Sequence, residues 1–153
     1  MSWSKPVRPD NVKIVPGRME VERYIYTPGV HGAELAKAFI KGKILGMKCG
    51  DGVYFPPLTF CQDHGEGELV ELDNAEWVVE TYTIIYEDMH GNRLSEPQII
   101  AVLKPKEAKG GLIHYIKASP EELHIGMEVE PVFRGERKGL ITDIEYFKPV
   151  NRD

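Results

Sequence analysis

Residues 46–64, GMKCGDGVYFPPLTFCQDH, contain both of the chain's cysteines, a Phe-Pro-Pro turn between them and a histidine three places after the second. Two thiol-bearing turns joined by an aromatic-Pro-Pro hairpin are the pattern of a small zinc ribbon. Ligands at knuckle spacing grip one tetrahedral ion, and that ion replaces the missing hydrophobic core. Cys61-Gln-Asp-His64 keeps the spacing. Cys49 does not, with Gly46 and Met47 before it and Gly52 after it; Asp51 offers only an oxygen, a poor substitute for a thiolate. The expected ligand set is therefore Cys49, Cys61 and His64, with zinc as the cofactor and the fourth ligand open. A metal-free ribbon held by Val53, Tyr54, Phe55 and Phe60 is the competing expectation.

Outward from this stretch, residues 43–49 read as the first ribbon strand and 53–55 as its return, with Pro56 and Pro57 ending regular pairing. Residues 66–73 read as an acidic, turn-rich connector. Strand patterns rich in β-branched and aromatic residues follow at 76–86, 98–103, 111–116, 123–133 and 139–147. The turn at 87–92 has Gly91 as its positive-φ position. Five short strands without a long helix fit a closed five-stranded barrel of the OB type. Before the ribbon, Ala33, Leu35, Ala36, Phe39 and Ile40 recur at helical spacing, predicting an amphipathic helix over 32–41 stopped by Gly42. Residues 1–30, with Pro6, Pro9, Pro16 and Pro28, read as an extended lead-in carrying an apolar cluster, Tyr24, Ile25 and Tyr26. The expected class is mainly β in three parts: an arm and helix over 1–42, a zinc ribbon over 43–73 and an OB barrel over 74–153.

The 153 residues, 42% apolar and 28% charged, describe a globular chain. No run of about 18 apolar residues marks a membrane span. No apolar segment follows the N-terminus, so the expected compartment is the cytoplasm. Two cysteines in a reducing compartment argue against a disulfide. The net charge of −5 is segregated: residues 1–48 carry +5, 49–73 carry −6 and 74–150 carry −4. A basic arm leading an acidic body points to an anionic surface or ligand for the arm. No phosphate loop or dinucleotide fingerprint is present. His31, His90, His114 and His124 read as surface or packed histidines, so autonomous catalysis is not expected. Single-stranded nucleic acid is the rival ligand from the residues alone, with Tyr82, Tyr86, Tyr115 and Phe133 as stacking platforms, but the barrel is acidic.

The order of parts resembles the DUF35 family. The residues that carry the likeness are Cys49-Gly50, Tyr54-Phe55-Pro56-Pro57, Cys61 and His64. They are joined by the strands at 77–86 and 97–103, the stretch 123–129, LHIGMEV, and the closing 143–149, DIEYFKP. The resemblance spans about residues 20–150. It implies an N-terminal helix, a rubredoxin-like zinc ribbon and a C-terminal OB-fold, in a non-catalytic accessory subunit of a thiolase-type acyl-CoA enzyme. The family usually has Cys-x-x-Cys at the first knuckle and Cys where this chain has His64. On this reading the thiolase-fold subunit is the partner, the apolar stripe Leu35, Phe39 and Ile40 docks on it, and Lys37, Lys41, Lys43 and Lys48 make the helix basic. A CoA thioester is the shared ligand, with Lys41, Lys43, Tyr54 and Phe55 as the expected contacts.

Overall fold

The structure, a computed structural model, describes Gly17, residues 25–62 and residues 65–150. Among these residues one α-helix, α1 (Gly29–Ile40), leads into nine strands, with a 3-10 turn (Ile141–Asp143) before the last: β1 (Leu45–Cys49), β2 (Gly52–Phe55), β3 (Glu68–Glu71), β4 (Trp77–Glu87), β5 (Arg93–Pro105), β6 (Ala108–Gly110), β7 (Leu112–Ile116), β8 (Glu128–Phe133) and β9 (Ile144–Pro149). Strands β4, β5, β7, β9 and β8 close into the expected five-stranded barrel. The ribbon is larger than the sequence suggests, a four-stranded sheet in the order β3-β1-β2-β6.

Two of those four strands were not anticipated. The supposed connector at 66–73 contains β3, which pairs antiparallel with β1 from Leu45↔Glu71 to Lys48↔Glu68. Acidic side chains at both of its ends disguised a four-residue strand. β6 belongs by sequence to the β5–β7 connection of the barrel, yet it runs parallel to β2, with Val53↔Ala108 and Phe55↔Gly110 in register. Gly110 sits at φ +87°, and a Cβ there would fall 2.2 Å from the Phe55 carbonyl oxygen. Only glycine lets the two backbones approach this closely.

Helix α1 begins three residues earlier than expected, after Pro28, and ends where Gly42 adopts φ +70°. There the N–H groups of Lys41 and Gly42 cap the Ala38 and Phe39 carbonyls, the usual glycine exit from a helix. The helix packs on the chain's own body: Leu35 and Phe39 join one continuous core with Ile44, Phe55, Trp77, Val79, Leu103, Val129 and Phe147. At its centre the Trp77 ring meets Phe55 of the ribbon edge-on at 5.1 Å and Phe147 of the barrel at 5.3 Å. Ribbon and barrel thus share their main core.

Truncating Phe55 to Ala should cost about 3–5 kcal/mol, the range for a fully buried aromatic. Because the core is continuous, urea unfolding followed by far-UV and near-UV dichroism should show one coincident transition. Separate transitions for the two signals would show that the ribbon folds independently.

Candidate functional site

The ribbon tip gathers Cys49 and Cys61 with Met47 into a second, smaller apolar cluster, against which Tyr54, Leu58 and Leu69 pack. The two cysteines, 12 positions apart, are joined by a disulfide with their Cα atoms 5.7 Å apart. This differs from the expected pair of thiols. The β1–β2 hairpin brings position 49 beside the returning loop, so the sulfurs meet each other. In this state neither is a thiolate donor. His64, the third expected ligand, lies outside the described residues. Among the described residues no group of three His, Cys, Asp or Glu side chains is placed to hold a metal ion. Gly46, at the other knuckle position, is packed: a Cβ there would lie 2.7 Å from Leu72 Cδ1 and 2.9 Å from the Tyr54 carbonyl oxygen. The donor set on the described residues does not fit a closed four-ligand zinc centre.

The expected CoA contacts are scattered. Phe55 is 2% exposed and committed to the core against Trp77. Lys43 pairs with Glu71, with Asp73 3.9 Å away. Tyr54 donates its phenol to Asp51 at 2.6 Å, and Lys109 binds the same carboxylate at 2.6 Å while lying 5.0 Å from the Tyr54 ring centre. That cluster pins β2 to β6. The Lys109 hydrogen bond first, and then the Tyr54 phenol, hold the Asp51 carboxyl down to about 2. Lys41 is exposed at the end of α1. The four do not form one site.

The expected docking stripe divides as well. Leu35 and Phe39 are buried in the chain's own core, Phe39 at 3% exposure, and only Ile40 faces solvent. A helical period reports that one face is apolar; it does not say which surface covers it. Here the cover is the barrel. Gly139 supports the contact, since a Cβ there would stand 3.0 Å from the Ala36 carbonyl oxygen. Arg137 reaches across 97 positions to donate its Nε–H to the Ile40 carbonyl at 2.9 Å.

Two features escaped the sequence reading. Asp143, buried at 3% exposure, accepts backbone N–H bonds from Lys138, Gly139 and Leu140 at 2.6–3.1 Å, and so shapes the loop on which α1 rests. Burial alone would raise its carboxyl; those three N–H groups and the Arg137 charge outweigh it and hold it below the usual value. The other feature is the outer face of β4, β5 and β7. Cross-strand partners Thr83↔Ile100↔Tyr115 and Thr81↔Val102↔Ile113 make two adjacent rows, and side chains directly opposite share a face. Ile113 is 71% and Tyr115 51% exposed. The signal was present as alternation within β7, where Leu112 and Ile116 point inward and Ile113 and Tyr115 outward. From this face the sequence alone picks out Tyr115, as a stacking platform.

Two of the histidines are tied into the fold. His31 shares a 2.6 Å hydrogen bond with the Leu58 carbonyl. His114 packs 5.8 Å from the Phe147 ring, where burial lowers its pKa.

Comparison with known proteins places this geometry. The family model described as "ChsH2, C-terminal OB-fold domain" matches residues 69–134. A DUF35 domain-containing scaffold protein of Pyrococcus furiosus is 30% identical over 72% of this chain and 85% of its own length. The chain belongs to the DUF35 family. A DUF35 domain-containing scaffold protein of Methanocaldococcus jannaschii is 28% identical over 70% of this chain and 82% of its own. Among solved structures, a DUF35-family protein of unknown function from Sulfolobus solfataricus aligns with TM-score 0.65 at 25% identity, covering 80% of this chain and 87% of that one. A chain of the Ltp2-ChsH2(DUF35) aldolase aligns with TM-score 0.58 at 20% identity, over 77% and 93%, a likeness of fold.

Asp143→Ala should destabilise the chain by about 1–3 kcal/mol, the cost of leaving buried N–H groups unpaired. The pH dependence has a definite sign. A carboxyl lowered from 3.8 in the folded state stabilises fully above 3.8, and its contribution is lost as pH falls through the lower folded value. Urea denaturation of Asp143→Asn should accordingly show a shallower loss of stability below pH 3.8 than the parent chain. Parallel acid limbs would remove Asp143 from that role.

Proposed function

We propose that this chain is a non-catalytic accessory subunit, a scaffold that holds and braces a thiolase-type acyl-CoA enzyme. The observation that carries the reading is the outer face of β4, β5 and β7: two rows of Ile, Val, Thr and Tyr turned to solvent on a closed barrel. Exposed apolar surface of this kind marks a docking site for another protein. The naming of the relatives as scaffold proteins supports the same reading. So does the presence of a chain of this fold in an aldolase whose name joins it to DUF35. The family resemblance supplies the thiolase class and the CoA thioester. Of the expected CoA contacts, Lys41 makes no close ion pair among the described residues and acts on Glu34 only through space, so any contribution to CoA phosphates would centre there. Lys43 and Phe55 are committed elsewhere.

The sheet face also weighs against single-stranded nucleic acid. Such binding needs cations beside the stacking platforms, and here Tyr115 lies among Ile, Val and Thr. The cations flanking this face are already engaged: Lys104 pairs with Glu80 at 2.8 Å, and Lys117, two positions from Tyr115, lies over the Tyr146 ring at 5.2 Å.

The test is capture of the tagged chain from its native cell at endogenous level, with partners identified by mass spectrometry. A thiolase-fold enzyme should be recovered, and acyl-CoA turnover should be present in the complex and absent from the isolated chain. Ile113→Asp should weaken that association about tenfold, as loss of an interface anchor does, with unchanged thermal stability. Recovery without any thiolase-fold enzyme, or affinity for single-stranded DNA at low salt, would overturn the reading.

A further inference from the structure

We infer that the ribbon of this chain is closed by a redox-controlled covalent staple, Cys49–Cys61, in the place where a zinc ribbon carries its ion. The inference is independent of the scaffold reading.

Four observations carry it. First, the whole sequence has two cysteines, and each sulfur is bonded to the other. Second, both glycines at knuckle spacing from Cys49 are closed to a ligand. Gly46 is sealed by Leu72 and the Tyr54 carbonyl, and Gly52 sits at φ +143°, a backbone conformation that side-chain-bearing residues rarely adopt. Third, the surroundings suit a neutral disulfide better than a charged metal–thiolate group. Met47 and Cys61 are essentially inaccessible, with Leu58, Leu69 and Tyr54 packed around them, and thiolates are disfavoured in apolar surroundings. Gly67 completes the fit, since a Cβ there would fall 2.1 Å from Met47 Sδ and 2.7 Å from Cys61 Sγ. Fourth, the bond fastens something. It closes the loop that carries Leu58, whose carbonyl takes the His31 ring hydrogen bond from the first turns of α1. The staple thereby ties the ribbon tip to the helix.

The chemistry balances as thiol–disulfide exchange with a small-molecule disulfide such as oxidised glutathione. The Cys49 thiolate, from the less buried of the two residues, attacks that disulfide, forming a mixed disulfide and releasing one glutathione thiolate. The Cys61 thiolate then displaces the second glutathione and forms the Cys49–Cys61 bond. The protein loses two electrons, the oxidant gains two, and the two cysteine protons leave with the two glutathione thiols. Reductant reverses each step.

The test uses the full chain, equilibrated with oxidised glutathione and freed of it. Alkylation with iodoacetamide in denaturant should add nothing before reduction and two groups after it. Reduction should lower the melting temperature by about 5–10 °C, the shift expected for opening a loop of this length in a chain of this size. Oxidised glutathione should restore it. Zinc added to the reduced chain should neither bind stoichiometrically nor raise the melting point. The Cys49→Ser, Cys61→Ser double variant should melt like the reduced chain and be indifferent to reductant. If that variant does not fold, the wild-type measurements decide alone. Two free thiols persisting in oxidised glutathione, a melting point unmoved by reduction, or one zinc per reduced chain with a chelator-sensitive melting point would each overturn the staple.

Discussion

The contact on which the rest of the molecule depends is that of Trp77 with Phe55 on one side and Phe147 on the other. Phe55 is the last residue of β2, Trp77 the first of β4, and Phe147 lies in the final strand. Three distant parts of the chain meet at this point, and none of their rings is more than 2% exposed. A ribbon of four short strands cannot bury enough apolar surface to stand alone, which is why small ribbons need a metal or another staple. Placing Phe55 in the barrel's core removes most of that need. The arrangement has a cost: Trp77 Nε1 is buried without a hydrogen-bond partner among the described residues, a penalty of about 1–3 kcal/mol. That penalty is accepted where the surrounding aromatic packing is dense enough to offset it.

The helix is fastened by a second device of different chemistry. Its apolar face supplies the burial, through Leu35 and Phe39. Its position, however, is fixed by polar bonds from the far end of the chain. Arg137 closes on the Ile40 carbonyl, and Asp143 organises the three N–H groups of the loop that carries Gly139 under Ala36. An amphipathic stripe fixes which face turns inward but leaves the helix free to slide; directional bonds at its end remove that freedom. The stripe that looked available to a partner is therefore internal at Leu35 and Phe39, and open only at Ile40.

What could be seen in the sequence follows from what sequence patterns encode. Alternation and β-branched runs located the barrel strands, because those patterns record local burial. Glycine located Gly42 and Gly91, because positive φ is a local requirement. Strand β6 was invisible: three residues, Ala-Lys-Gly, pair with β2 across more than fifty positions, and nothing local announces it. β3 was hidden by its acidic ends. At the candidate site, local pattern did not report environment. Phe55 and Tyr54 looked like a pair at a hairpin tip, yet strand alternation sends Phe55 to the core and Tyr54 to Asp51 and Lys109. Cys49 and Cys61 were correctly singled out as a unit, but spacing along the chain does not distinguish two sulfurs sharing an ion from two sulfurs sharing a bond.

These features bear on what a scaffold requires. A subunit that braces another protein contributes affinity only from the surplus of its contacts over the entropy lost in ordering its own surface. A face on a closed barrel has already lost that freedom. Thr81, Thr83, Ile100, Val102, Ile113 and Tyr115 are held by hydrogen-bonded ladders across β4, β5 and β7, with a register shift just before Thr81. The inner faces of the same strands bear Val79, Ile99, Ala101, Leu103, Leu112 and Ile116, all in the shared core. Along β5 and β7 the residues that fix the strands alternate with those left to solvent, and on β4 a bulge between Val79 and Thr81 resets the alternation, so stability and presentation come from one construction. The ribbon reinforces it from the side: β6 extends from the β5–β7 connection into the ribbon sheet, so movement of that connection is resisted by β2 and, through Phe55, by Trp77. On the scaffold reading proposed above, the ribbon would serve as a buttress for the barrel face, a mechanical role that needs no open metal position or catalytic group within it.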